Sequence, residues 1–168
     1  MKKAGFIALI GEPNAGKSTL LNQMVGAKVS IVTHKVQTTR TRIRGVAIEG
    51  ESQLVFVDTP GVFKPRRRLD RAMVAAAWSG AADADIIVLL IEAHRGLSEG
   101  VKAIIEQLKA TIRHRPVILA INKIDRPNSN PDKIKEKLSG MNLLVEEWGG
   151  KIQSQDVSAL KGTGVDEL

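Results

Sequence analysis

Four short segments carry side chains whose types and spacing suit the handling of a polyphosphate tail and of the base attached to it. Gly11 to Ser18 reads GEPNAGKS, a G-x-x-x-x-G-K-[ST] pattern placed between a strand-like apolar run and a helix-like one. There the glycines let backbone N–H groups converge on phosphate oxygens, and the helix start adds the positive end of its dipole. Lys17 neutralises the β- and γ-phosphates and Ser18 Oγ ligates magnesium, so Gly11, Glu12, Pro13, Asn14, Ala15, Gly16, Lys17, Ser18 and Thr19 form the expected phosphate loop. About 40 residues later Asp58, Thr59, Pro60 and Gly61 end a buried-strand pattern. A carboxylate there supports magnesium through water, and the Gly61 N–H bonds the last phosphate and reports its loss. Asn122, Lys123, Ile124 and Asp125 directly follow the apolar run PVILAI. Asp125 accepts from the ring N1–H and exocyclic amino group of guanine, a donor pair adenine lacks. Asn122 steadies the loop, and the Lys123 stem covers the base. Ser158, Ala159 and Leu160 follow the last strand pattern and offer the Ala159 N–H to the guanine carbonyl oxygen.

The remaining polar segments are less specific. In QTTR (Gln37 to Arg40) a threonine hydroxyl can complete the magnesium shell when γ-phosphate is present; Thr39 is chosen over Thr38, although spacing does not separate them. The expected metal ligands are thus Ser18, Thr39 and Asp58. Arg40, Arg42 and Arg44 alternate along an edge-strand pattern and keep such an edge soluble. KPRRRLDR reads either as a basic patch facing a partner or as a solvated loop, and His34 as an exposed loop residue.

These residues need a scaffold that brings distant loops together. GFIALIG is a short apolar run, followed by a helical pattern through Leu20, Leu21, Met24 and Val25 that Gly26 closes. RGVAIEGESQLVFVD reads as a hairpin around Gly50, Glu51 and Ser52. Helices are expected over LDRAMVAAAWSGAA, with Leu69, Met73 and Ala76 inward, and over a face of Val101, Ile104, Ile105, Leu108 and Ile112. A further helix carries Ile134, Leu138 and Met141 and is expected to be capped by Asp132. DIIVLLIEA and PVILAIN are buried strands, and KIQSQDV is polar enough to suit only an edge. Apolar strands alternating with amphipathic helices imply a three-layer α/β fold: a mainly parallel six-stranded sheet with one antiparallel edge strand and ligand loops at the strands' carboxyl ends.

The 168 residues, 43% apolar, suit one domain with a two-sided core. Zero cysteines exclude disulfides and thiolate metal sites, and three separated histidines disfavour a zinc centre, so any metal is oxygen-ligated. No apolar run reaches membrane-spanning length, and the N-terminal stretch suits a buried strand rather than a signal peptide, which predicts a cytoplasmic protein. The net charge of +7 lies in the front: residues 1 to 71 hold 13 Lys and Arg against 5 Asp and Glu. Such basicity fits either a solvated face or attraction to a nucleotide or RNA. Three Phe, two Trp and no Tyr leave little for base stacking, against an autonomous single-strand binder.

In this order the motifs resemble the G domain of Era-type GTPases, most closely over GEPNAGKSTLLNQMVGAKVSIVTHKVQTTRTRIRG and VDTPGVFKPRRRLDRAM, to about residue 115. Beyond it, AINKIDRPNSNPDKIKEKL and LVEEWGGKIQSQDVSALKGTGVDEL look more like the G domain of bacterial translation initiation factor two. That mixture predicts a recombined or engineered chimera with a junction around Arg115 to Ile121, or else an unusual natural relative. The resemblance implies a P-loop G domain over residues 1–168, GTP and GDP as ligands, Mg2+ as cofactor, and slow hydrolysis to GDP and phosphate. Direct attack by water is expected, with Asn14, Lys17, Thr39 and Gly61 as the catalytic set, Thr39 and Gly61 positioning the water through their backbone groups.

Val62 follows the sensing glycine where a glutamine would orient that water. The resemblance supplies an alternative device, a K+ ion near the β- and γ-phosphates held partly by Asn14. The KH domain by which Era proteins bind ribosomal RNA has no counterpart in these residues, so contact with ribosomal RNA or the ribosome is implied only by family. GTGVDEL reads as a turn and the first residues of a helix, predicting that a closing helix is missing and that exposed sheet surface invites dimerisation. The rival expectation is a chimeric scaffold that binds nucleotide weakly or not at all and turns nothing over.

Overall fold

The computed structural model describes residues 3–26, 43–59, 61–62, 68–111 and 114–168. In chain order they form β1 (Lys3–Gly11), α1 (Lys17–Val25), β2 (Ile43–Glu49), β3 (Ser52–Asp58), α2 (Arg68–Asp83), β4 (Ile86–Glu92), α3 (Glu99–Thr111), β5 (Val117–Asn122), α4 (Pro131–Gly140) and β6 (Ser154–Asp156), with a single 3-10 turn over Glu146–Trp148 before β6. The sheet order is β2-β3-β1-β4-β5-β6. Among the described strands the β2–β3 pair is antiparallel and the other pairs are parallel; its hairpin turns at Gly50, whose φ of 57° lies in the left-handed region. The expected fold class is therefore the observed one.

Strand alternation divides the apolar side chains between two cores. Ile10, Ile87, Leu89, Ile91, Leu119 and Ile121 face α2, α3 and α4, while Leu9, Val88, Leu90 and Ala120 face α1 and the turn that follows β6. Each fully buried aliphatic side chain contributes about 1.5–3 kcal/mol of transfer free energy, so residues of both parities along β4 anchor the sheet between its layers.

The helices follow their patterns with two corrections. In α2 the buried positions are Met73, Ala77, Gly80 and Ala81, whereas Leu69 is 55% exposed and Ala76 half-buried. Small residues on that stripe let the helix lie close to the sheet, which moved the inner face away from the larger Leu69. In α4 the cap is Asn130, whose Oδ1 accepts from the Lys133 N–H at 3.1 Å, and Asp132 sits in the first turn. Pro131 occupies the first helical position, where its missing N–H costs nothing, and that places the cap one residue earlier. In α3 the stripe Val101, Ile104, Ile105 and Leu108 is buried as expected; Ile112 lies outside the described residues.

Because β1, β3, β4, β5 and β6 are parallel, the loops after all five emerge at one edge of the sheet. Arg115 donates to the carbonyls of Ala81 (2.9 Å) and Ala82, joining the end of α2 to the approach of β5. After Asp156 the chain runs in turns, with Gly162 and Gly164 at φ 78° and 71°, so the helical start expected in GTGVDEL is absent from the described residues. Among the described residues no helix is long and apolar enough to cross a membrane.

Candidate functional site

Three loops interlock where β1, β3 and β5 end. The first, Gly11 to Gly16, turns through Asn14 at φ 63° and Gly16 at φ 102°, and Gly16 caps α1. A Cβ on Gly16 would collide with the Asn122 amide, so that position is closed to any side chain. Lys17 and Ser18 are both buried in the first turn of α1. Lys17 reaches back across the loop, and its Nζ donates to the carbonyls of Glu12 (2.8 Å) and Gly11 (3.3 Å), which holds the ammonium above the loop. The Glu12 side chain leans on the start of α3 beside Gly100. There the positive end of the helix dipole favours a carboxylate. Thr19 is half-buried one residue along α1.

The second loop leaves β3 at Asp58 and packs directly onto the first. Thr59 is fully buried, its hydroxyl donating to the Leu9 carbonyl at 2.6 Å, and the Val62 N–H donates to the Gly11 carbonyl at 2.8 Å. A Cβ on Gly61 would stand 2.6 Å from the backbone of Pro13, so glycine is required for this close approach. Val62 is itself 7% exposed and joins the core beneath α2 and α3. Its side chain fills a core position. Pro60, Thr38, Thr39, His34 and the run 63–67 lie outside the described residues, as does the side chain of Asp58.

The third loop holds the residues expected to select the base and is wired to the first. Asn122 is 1% exposed; its Nδ2 donates to the Ala15 carbonyl at 2.9 Å and its Oδ1 accepts from the Ala159 N–H at 3.0 Å. One amide thus joins segments 107 and 37 residues away. The Ala159 N–H, expected to meet the guanine carbonyl, is engaged by this link. Ser158 Oγ donates to Asp125 Oδ1 at 2.7 Å and accepts from the Lys161 N–H at 3.2 Å. The Ser158 hydroxyl holds the Asp125 carboxyl below its ordinary range, so the carboxylate is ready to accept two N–H donors. Leu160 is 73% exposed beside it.

Lys123 bridges the first and third loops. Its backbone takes φ 64°, rare for a residue with a side chain, and its Nζ donates to the Asn14 carbonyl. The same ammonium lies 3.2 Å from Glu92 Oε2 at the end of β4. Burial lowers the Lys123 pKa, with Glu92 acting in the opposite sense. Glu92 is 7% exposed and drew no attention in the sequence, because a lone glutamate ending an apolar run carries no motif. The structure pairs it with Asn122 across β4 and β5. Asn14 Oδ1 is buried and finds no hydrogen-bond partner among the described residues.

Residues 6–123 match a family model described as 50S ribosome-binding GTPase. The chain is 62% identical over 168 residues to GTPase Era of Dinoroseobacter shibae, covering 99% of this chain and 52% of that protein. It is 61% identical over 166 residues to GTPase Era of Brucella melitensis, covering 99% and 51%. It therefore spans about half the length of the curated relatives it matches. Among solved structures it is similar to Era in complex with MgGDPNP and nucleotides 1506-1542 of 16S ribosomal RNA, at 36% identity and a TM-score of 0.85 over 99% of this chain and 55% of that one. An Aquifex aeolicus Era variant bound to GDP.AlF4- gives 36% identity and a TM-score of 0.82 over 98% and 54%.

The expected change of resemblance at Arg115 to Ile121 is not supported, because the likeness to Era continues through the whole chain. The likeness to initiation factor two and the engineered chimera are likewise unsupported. The segments that suggested them run from the end of β5 through α4 and from the approach of β6 to the last turns, and they continue the same parallel sheet. Three loops meeting at one sheet edge, on a sequence matched to the family model from Phe6 to Lys123, place this chain in the 50S ribosome-binding GTPase family.

Proposed function

We propose that this chain is a guanine-nucleotide-binding switch domain that slowly hydrolyses GTP to GDP and phosphate. The observation that carries the reading is the Asn122 link, which sets the Asp125 carboxylate at a fixed distance from the phosphate loop. A nucleotide whose base donates to Asp125 then has its phosphates delivered to Lys17 and the loop amides. Water attacks the γ-phosphorus, the bond to the β-phosphate oxygen breaks, and GDP leaves. Lys17 offsets charge on the phosphoryl oxygens, and the Thr39 and Gly61 backbone groups position the water.

Among the described residues no group of three or more His, Asp or Glu gathers to hold a metal alone. The donor set fits Mg2+ in another way: the Ser18 hydroxyl, with Thr39 and Asp58, offers hard oxygens that leave room for nucleotide oxygens and water. Held by these residues, Mg2+ would supply charge neutralisation during phosphoryl transfer. Asn14 Oδ1 is a buried oxygen without a partner among the described residues, as a K+ ligand before its ion would be. We assign it that role because Val62 is turned into the core. Turnover should then rise when K+ replaces Na+, and Asn14→Ala should abolish the difference.

The partners in this reading are GTP and GDP in the cytoplasm, with ribosomal RNA a partner carried over from the Era complex with a 16S fragment. Self-association would use the exposed apolar side chains Phe6, Val46 and Ile48. Single-turnover hydrolysis of GTP with wild type and Lys17→Ala is the test. A rate above background in wild type, lost in the variant, supports the reading; equal background rates remove the enzyme, and absence of GDP binding removes the switch as well.

A further inference from the structure

Glu92 is a buried carboxylate that the phosphate chemistry does not use. Its Oε2 lies 3.2 Å from Lys123 Nζ and 3.5 Å from His94 Nε2, and its Oε1 lies 3.8 Å from Arg95 Nη1. Three potential cations therefore share one carboxylate, and Lys123 is the one reached across the strand pair, from the residue after Asn122. Around Lys123 the other charges are unfavourable: Arg95 and Arg126 both oppose its protonated form, and burial does so more strongly. Among the described residues the acidic group that favours the ammonium is Glu92. The Asn14 carbonyl accepts one hydrogen bond from Nζ but carries no net charge. Without Glu92 the ammonium would face two guanidinium groups in a half-buried pocket and would gain by swinging into solvent. The stem would leave with it.

We propose that Glu92 is a positioning residue for base recognition, fixing the Lys123 ammonium so that the lysine stem lies flat over the guanine ring. This rests on the guanine-nucleotide reading above. The role has a chemical signature. The Lys123 stem contacts the face of the base, whereas Asp125 reads its edge. Loss of Glu92 should weaken every purine nucleotide that fits the site by one factor and leave edge discrimination intact.

The experiment measures equilibrium binding of GDP and of inosine diphosphate, which lacks the exocyclic amino group, to wild type, Glu92→Gln, Lys123→Met and the double variant. Removing one partner of a buried charged pair should weaken GDP binding about tenfold in Glu92→Gln, with the same factor for inosine diphosphate. In the Lys123→Met background the Glu92 substitution should change nothing. If Glu92→Gln does not fold, Glu92→Asp keeps the charge on a shorter stem and should lose about threefold, again only when Lys123 is present. Wild-type affinity in these Glu92 variants, or an equal loss with and without Lys123, overturns the proposal. A change in the ratio of the two nucleotides also overturns it, since that places Glu92 on edge recognition. Failure of wild type to bind GDP overturns the guanine-nucleotide reading itself, and this inference with it.

Discussion

Asp125 shows how one hydroxyl sets the working range of a binding site. The hydrogen bond from Ser158 lowers the carboxyl pKa, so its favourable contribution is present above the unfolded value and is lost only as pH falls through the lower folded one. Wild type should therefore keep its GDP affinity at pH values near the ordinary carboxylate pKa of about 3.9 as long as the fold holds. In Ser158→Ala the loss should begin at higher pH, and a pH series of GDP titrations on both proteins measures the gap. Coincident profiles would mean that Ser158 does not tune the base site. A second expectation concerns identity. Asp125→Asn replaces one acceptor oxygen by a donor, which no longer matches the two guanine donors but does match the carbonyl that xanthine carries at the same edge. The loss of two charge-assisted hydrogen bonds should cost GDP about a hundredfold or more, and xanthosine diphosphate should recover much of it in competition assays.

At the scale of elements, the site depends on links between loops. Asn122→Ala removes the bonds to Ala15 and Ala159 and leaves a buried carbonyl and a buried N–H unpaired. Unfolding in denaturant should show a loss of about 2–4 kcal/mol even without nucleotide. A second link is Lys135, 2% exposed, whose Nζ bonds Glu147 at 3.0 Å and Asp156 at 3.2 Å and so ties α4 to the strand that leads into Ser158. Burial alone would lower the Lys135 pKa, but the Glu147 hydrogen bond and the Asp156 charge outweigh it and raise it. The raised value means the contribution is complete below the unfolded pKa of about 10.4 and fades only above it. Lys135→Ala should cost about 2 kcal/mol, equally at pH 6 and pH 8, because both carboxylates can still reach water. A cost that changes between those two pH values would count against this assignment.

These links also mark what could be read from residues alone. The phosphate loop, the sensing turn and the base loop were legible because each packs its chemistry into four to eight consecutive residues, and the strands because they alternate. Asn122 was legible as a loop stabiliser, but its partner Ala15 was not, since a bond between residues 107 positions apart leaves no local pattern. The Asn130 cap was missed for the opposite reason: it is local, but two acceptable capping residues flank Pro131 and only the proline's own preference decides between them. Glu92 had no pattern at all.

For the whole molecule, the consequence is that a nucleotide would tie together the ends of strands from both halves of the sheet. The loops after β1, β3, β5 and β6 emerge at one edge of the sheet, so in the guanine-nucleotide reading binding should stabilise the sheet as a unit rather than a single lobe. At a hundred times its dissociation constant a ligand adds about 2.7 kcal/mol to folding. For a chain of this size that corresponds to a rise in melting temperature of about 5–10 °C. Scanning calorimetry with GDP should show one transition that moves by this amount, while Lys17→Ala, deprived of its phosphate contact, should move much less. Two transitions, with only the earlier one responding to GDP, would mean that the β4, β5 and β6 half folds independently of the phosphate loop. The Asn122 link would then fail to transmit binding energy across the sheet, because an amide that truly couples Ala15 to Ala159 cannot report on one side alone.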